Sequence, residues 1–161
     1  MTPDALFRLC SSLAMLGWLG LTLTPLWPRS LRERQPRQLF AIAIPGLIAV
    51  VYTGVILTHW AGHPGGFDSL DHVIQLFTSR WLVLAGWVHY LAFDLFVGGW
   101  ELADSRQRGM PHLLLLPILL LTFLFGPIGY LTYLAARAPF RKDQKSAHSS
   151  QKAEAFSSGT I

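Results

Sequence analysis

The stretch GWVHYLAFDLFVGGWELAD, residues 86–104, opens as a membrane-crossing helix should and then departs from that pattern. His89, Asp94, Glu101 and Asp104 interrupt an otherwise apolar run. Whether the segment lies in lipid is decided by its surroundings. The chain has 161 residues, 52% of them hydrophobic and 14% charged, and a mean hydropathy of +0.39. A soluble domain carries roughly a quarter charged residues, so the deficit points to a membrane protein. Residues 9–27, 39–58, 81–100 and 113–136 hold almost no charge, and each meets the need for ~20 mostly apolar residues to cross ~30 Å of hydrocarbon. These runs predict an all-α, integral membrane four-helix bundle over residues 1–136, followed by a polar tail over 137–161.

Trp27 and Trp60 close the first two runs, and Trp81 and Trp100 bound the third. Indole rings favour the headgroup region, so these form an expected aromatic belt. Trp18 and Trp87 lie inside runs, where they are expected to pack against neighbouring helices. The segment MTPDALFR ahead of the first run is nearly neutral, and no small-residue cleavage site follows that run. It therefore reads as a span rather than a signal peptide, with a prokaryotic plasma membrane as the simplest address. The single Cys10 excludes an internal disulfide and a cysteine-based metal site; it reads as a small apolar helix residue.

In a four-span topology the loop PRSLRERQPR shares a side with Arg106 and Arg108, facing Arg8, Arg80 and the tail residues Arg137, Arg141, Lys142 and Lys145. Near the spans this is six basic residues against six. The crowding of four arginines into one short loop favours loops one and three inside. The basic charge therefore reflects flanks that favour anionic headgroups, not nucleic-acid binding. From Arg137 onward, Ser, Lys and Gln replace the apolar periodicity, a composition that reads as disordered.

Between the second and third runs, Phe67, Leu70, Val73, Ile74 and Phe77 recur at helical spacing after the break His63-Pro64-Gly65-Gly66. A short amphipathic helix over 68–79 is expected at the interface, with Asp68 as N-cap and Asp71 in its first turn. It would serve as a lid over the bundle or as a connector on the headgroups. Pro45-Gly46, Pro117 and Gly126-Pro127 are breakers that free backbone carbonyls. No internal repeat is evident, so an inverted-repeat transporter finds no support.

On a helix turning ~100° per residue, with His89 at zero, Asp104 falls near ~60°, Glu101 near ~120° and Asp94 near ~140°. One arc holds all four, and it is expected to face the bundle because ionisable groups avoid lipid. Glu101 and Asp104 are expected as solvated helix-end charges that pair with Arg106 or Arg108. His89 and Asp94 lie ~7.5 Å apart along the axis, near mid-membrane. An aspartate there costs ~2.5–3.5 kcal/mol unless a partner offsets it; Tyr52, Thr53, Thr122, Tyr130 and Thr132 are candidates. Two readings stay open. The pair performs acid–base chemistry, for which carboxyl and imidazole are suited, or it pins helices by buried hydrogen bonds.

His59 and His63 are spaced i, i+4, with Asp68, Asp71 and His72 nearby, but Gly62 and Pro64 break the helix that would align them. No HExxH, Walker A, G-x-S-x-G or G-x-G-x-x-G occurs, and the six histidines form no HxxHH cluster. No metal and no cofactor is expected. What remains is cofactor-free acid–base chemistry, ligand binding or a structural role.

Leu76-Phe77-x-Ser79, Trp87-Val88-His89, Asp94-Leu95-Phe96 and Gly126-Pro127-Ile128-Gly129 together resemble the ABA-deficient-four family of small four-span membrane proteins. The resemblance runs from the first apolar run to about residue 136. The plant members are plastid proteins needed to form the carotenoid neoxanthin; without a transit peptide, this chain resembles a bacterial relative. The family pattern carries over to Trp87, His89, Asp94, Phe96 and Pro127, and Glu101 is not part of it. Forming neoxanthin from violaxanthin opens an epoxide while a proton leaves the polyene to give an allene. The resemblance thus implies an acid at oxygen, a base at carbon and no redox cofactor. His89 and Asp94 are the expected catalytic residues; Trp87, Phe96 and Pro127, from the family pattern, and Tyr90 beside them are the expected binding residues. Expected partners are the bilayer, a carotenoid or other isoprenoid lipid, and a partner membrane enzyme or a second copy. The competing reading is a non-catalytic carotenoid- or lipid-binding protein or scaffold.

Overall fold

In a computed structural model, residues 1–27 and 39–140 are described. The arginine-rich loop and the tail beyond residue 140, with the disorder expected of it, lie outside the described residues. Every element among the described residues is helical. Helix α1 (Pro3–Thr22) starts where the Thr2 hydroxyl accepts from the Ala5 N–H, with Pro3 in the first turn and Asp4 beside it. These are the residues that suit a helix N-terminus. A 3₁₀ turn, Thr24–Leu26, follows, and the buried Thr24 hydroxyl donates to the Leu21 carbonyl. Helix α2 (Ile44–His59) is entered through a π turn, Leu39–Ala43. Pro45 lacks an N–H and its ring crowds the carbonyl four residues back, which accounts for a widened turn at that point.

The helix expected at the interface is shorter than predicted: α3 spans Leu70–Leu76. Ser69, not Asp68, caps it, its hydroxyl accepting from the His72 N–H at 3.2 Å. Asp68 instead takes the His72 ring at 2.8 Å, and that bond holds its carboxyl below the ordinary aspartate range. Leu76 is buried, whereas Phe67, Leu70, Ile74 and Phe77 are exposed, an apolar surface suited to an interface.

Helix α4 (Arg80–Gln107) carries the opening stretch through 28 residues, ~42 Å at 1.5 Å per residue. Three helical segments are long and apolar enough to cross a membrane: Pro3–Thr22, Leu39–His59 and Arg80–Gln107. Asp4 meets Arg80 at 2.7 Å and Trp87 Nε1–H donates to Ser11, so α1 and α4 run parallel. The His59 ring stacks on Trp81 and Phe40 lies over Gly20, so α2 runs antiparallel between the same ends. Small residues let these backbones approach. A Cβ on Gly98 would stand 2.5 Å from the Trp18 ring, and one on Gly99 would stand 2.2 Å from the Ala41 Cβ.

The fourth apolar run differs from expectation. It is not one helix but two, α5 (His112–Phe125) and α6 (Pro127–Ala136), broken at Gly126 with φ +37°. Pro127 cannot continue the α5 hydrogen-bond ladder, and glycine is the residue that tolerates the positive φ. The chain doubles back there: a Cβ on Gly129 would lie 2.1 Å from the Thr122 backbone nitrogen. Phe123 accepts from the Tyr90 hydroxyl at 2.9 Å, so the tip sits midway along α4. Both feet rest at the C-terminal end of α4. His112 Nε2 lies 3.0 Å from the Thr22 carbonyl, and Arg137 reaches Asp104. Helix α5 is ~21 Å long, shorter than the ~30 Å hydrocarbon core.

Candidate functional site

Helix α4 carries two different faces. His89, Phe93, Phe96 and Trp100 recur at spacings of four, three and four and are all exposed. The His89 ring lies 4.6 Å from Phe93 and 5.5 Å from Tyr52 of α2. The expectation that His89 points into the bundle therefore fails. Aromatic neighbours shelter the imidazole along the outer surface, where a ring with an apolar body is tolerated. The second face holds Trp87, Tyr90, Asp94 and Glu101, at spacings of three, four and seven. Trp87 and Tyr90 are in ring contact at 5.6 Å. Trp87 also lines a cavity of about 260 Å³ with Phe7, Phe77 and Arg80.

Asp94 is half-buried beneath the hairpin tip. A Cβ on Gly126 would be 2.8 Å from its Oδ1 and 3.0 Å from its Oδ2. Among the described residues, Asp94 Oδ2 is the one buried side-chain oxygen or nitrogen with no hydrogen-bond partner. Tyr90, one turn back, donates to the Phe123 carbonyl at 2.9 Å, and its hydroxyl also lies against the Asp94 carboxyl without supplying a partner to Oδ2. None of the expected partners meets it: Thr53 and Thr132 donate to their own helices, Thr122 turns to Glu101, Tyr52 packs on His89 and Tyr130 on Trp100. The structure thus sets Tyr90 and Asp94 against the tip that Gly126 and Pro127 form. It places Trp87 a turn back against Phe7 and Ser11 of α1, with its ring on Tyr90, and leaves His89 and Phe96 on the other face. His89 and Asp94 are ~140° apart around α4 and share no hydrogen bond, although the imidazole is close enough for its charge to act on the carboxyl.

Glu101 and Asp104, expected in solvent, are both buried, at 0% and 8% exposure. The returning hairpin covers them. Thr122 Oγ1 is 3.0 Å from each Glu101 oxygen and 3.1 Å from the Ile118 carbonyl. One hydroxyl proton cannot serve three acceptors. The set is fully paired when the Glu101 carboxyl donates to Thr122 while Thr122 donates to Ile118. Asp104 Oδ2 accepts from Arg108 Nε at 2.6 Å, Tyr133 hydroxyl at 2.9 Å and Arg137 Nη1 at 3.0 Å. The expected Arg108 partner is present, while Arg137, assigned by composition to the tail, is an unforeseen second. Its guanidinium also lies 5.3 Å from the Trp100 ring.

The other histidines are engaged locally: His59 with Trp81, and His63 Nδ1 with the Pro64 carbonyl at 2.9 Å. No group of three His, Cys, Asp or Glu side chains among the described residues is placed to hold a metal ion. The buried Cys10 is a free thiol. Sequence reasoning missed Gly126 as the lid over Asp94 and the Tyr133–Arg137 contribution at Asp104. The Gly-Pro break was visible, but the fold-back that gives it meaning depends on contacts between helices.

No curated protein and no solved structure matches the chain. A family model does: that of ABA DEFICIENT 4-like proteins covers residues 5–133. The match spans the three long apolar helices and nearly all of the hairpin, so the chain belongs to the ABA DEFICIENT 4-like family.

Proposed function

We propose that the chain is a membrane protein that takes an oxygen-bearing carotenoid or other isoprenoid end group at Asp94 and isomerises it by cofactor-free acid–base chemistry. The observation that carries this reading is the buried Asp94 oxygen without a partner. A buried polar atom left unpaired is costly, and a ligand hydroxyl or epoxide oxygen would complete it. Trp87 and Tyr90 offer the flat apolar surface on which a ring would lie. In the reaction Asp94 gives its proton to the epoxide oxygen as the C–O bond breaks, and a base removes the polyene proton as the allene forms. Atoms balance without a redox partner. His89 is the candidate base, and its exposure toward lipid leaves it accessible to a polyene arriving from the bilayer.

The separation of His89 from Asp94 favours a second reading, in which Asp94 only binds the oxygenated end group. Both are tested by expression in a carotenoid-producing bacterium supplied with epoxy-carotenoids, with pigments compared by chromatography and mass spectrometry. The first reading expects a new isomer with the natural protein and none with Asp94→Asn; full activity of Asp94→Asn sinks it. Persistence of the isomer with His89→Ala removes His89 as the base. The second reading expects unchanged pigment to co-purify with the natural protein and to be lost from Asp94→Asn. Pigment-free natural protein sinks that one.

A further inference from the structure

Helices α5 and α6 begin and end at one end of the molecule, with consequences for which side of the membrane each segment faces. Helix α5 starts beside Thr22, at the C-terminal end of α1. It reaches Tyr90 and Asp94 midway along α4, turns at Gly126, and α6 returns to Asp104. Phe140 then accepts from Arg108 Nη1 at 3.1 Å, which ties the chain beyond α6 to the turn that precedes α5. Trp27 and Phe40, which flank residues 28–38, meet at 5.6 Å at this same end. Asp4 and Arg80 mark the opposite end.

We infer that α5 and α6 form a re-entrant hairpin that enters and leaves the membrane on one side, the cytoplasmic side, with that end seated on anionic headgroups. Helix α5 is too short to cross, and its partner turns back before the far surface. Only α1, the segment entered through Leu39, and α4 then cross, and the C-terminal tail emerges beside residues 28–38 rather than opposite them. The balance of charge changes with it. A fourth crossing leaves basic residues near the spans tied between the two sides. With the hairpin, among the described residues Arg8 and Arg80 stand at one end and Arg106, Arg108 and Arg137 at the other, which is also the end where Trp27 and Leu39 bracket the arginine-rich stretch of sequence. Basic flanks are retained on the cytoplasmic side, where the leaflet carries its anionic lipid.

The backbone at the tip is not an objection. Irregular backbone at membrane depth is tolerated where protein covers it, and Gly126 is buried against α4. Nor does the inference depend on chemistry at Asp94. The feet of the hairpin are held by Asp104, Tyr133 and both arginines, whatever binds at its tip.

The test is site-directed thiol labelling of the full chain with a membrane-impermeant maleimide, in spheroplasts and in inverted vesicles. The buried Cys10 serves as the internal unreactive control. Ser30→Cys, Ala61→Cys and Ser149→Cys are compared. The expected result is labelling of Ser30→Cys and Ser149→Cys in inverted vesicles, with loss of signal in spheroplasts, and the reverse for Ala61→Cys. Labelling of Ser149→Cys together with Ala61→Cys would mean the last segment crosses, overturning the hairpin. Labelling of Ser30→Cys and Ser149→Cys from outside would overturn the assignment of that end to the cytoplasm.

Discussion

Asp94 and Asp104 lie ten residues apart on one helix, both against the same hairpin, and their surroundings could hardly differ more. Asp104 Oδ2 receives three donors, two of them guanidinium groups. Asp94 Oδ2 receives none. The difference follows from which part of the hairpin each one meets. Its foot brings Tyr133 and Arg137, whereas its tip brings Gly126 and Pro127, which have no side-chain donor. A buried carboxylate paired with two cations is a structural charge whose removal leaves those cations uncompensated. A carboxylate oxygen facing a glycine loses nothing of that kind. Two aspartates on one helix thus separate into a latch and a candidate reactive group by what stands opposite.

The largest effect that would break this contrast is expected at the latch. Asp104→Ala leaves Arg108, Arg137 and the Tyr133 hydroxyl without their acceptor, a loss of about 3–5 kcal/mol for an opened buried pair. Thermal unfolding in detergent micelles should show a much lower midpoint than for Asp94→Ala. Equal midpoints for the two would dissolve the distinction. Next in size is Gly129→Val at the hairpin's closest approach. Its Cβ would meet the Thr122 backbone nitrogen at 2.1 Å, and a backbone atom cannot swing aside as a side chain would. Overpacking of this kind costs about 1–3 kcal/mol. It should also raise proteolysis at the tip, measurable by limited digestion in micelles.

What the sequence disclosed and what it withheld divide along the range of the interactions involved. The helical class and the three long segments follow from runs of apolar residues, which any helix in lipid must have. The break at Gly126-Pro127 was also visible, because proline acts on its own neighbours. The direction the chain takes after the break was not visible. It depends on Gly129 fitting against Thr122 and on Arg137 reaching Asp104, contacts that leave no periodic trace. The same limit governs the site. Angular position correctly set Asp94 facing inward but took His89 with it, because an arc of ~140° is wide enough to span both a helix contact and the surface. Glu101 and Asp104 were assigned to solvent by their place near a helix end. The hairpin that covers them was read as a separate span.

At Asp94 the expected effect on stability is smaller. Asp94→Asn keeps the side chain's size and breaks no hydrogen bond to Oδ2, so the unfolding midpoint should shift by no more than the equivalent of about 1 kcal/mol. The same exchange at Asp104 removes the charge from two guanidinium partners and should cost more. Unfolding in sodium dodecyl sulfate, run on both variants side by side, sharpens the comparison directly. A strong loss at Asp94 would reveal a structural partner there and move it into the class of Asp104.

The smallest effect belongs to a third aspartate, outside the three long apolar helices. Asp68 is exposed and accepts from the His72 ring at 2.8 Å, which lowers its pKa in the folded chain. Its contribution is therefore fully present above the ordinary aspartate value of about 3.9. It is lost as pH falls through the lowered folded value. Hydrogen exchange at the first amides of α3 should accelerate only in that acid window. In Asp68→Asn the part of the acceleration that comes from losing the Asp68–His72 bond should be absent, because no carboxylate remains at that position; Asp71, in the first turn of α3, is unchanged in both proteins. Screening by water keeps the change local, and the latch at Asp104, far along the bundle at the other end of α4, should not register it. A shift in global unfolding with Asp68→Asn would mean that α3 is tied into the bundle more firmly than the single buried side chain of Leu76 implies.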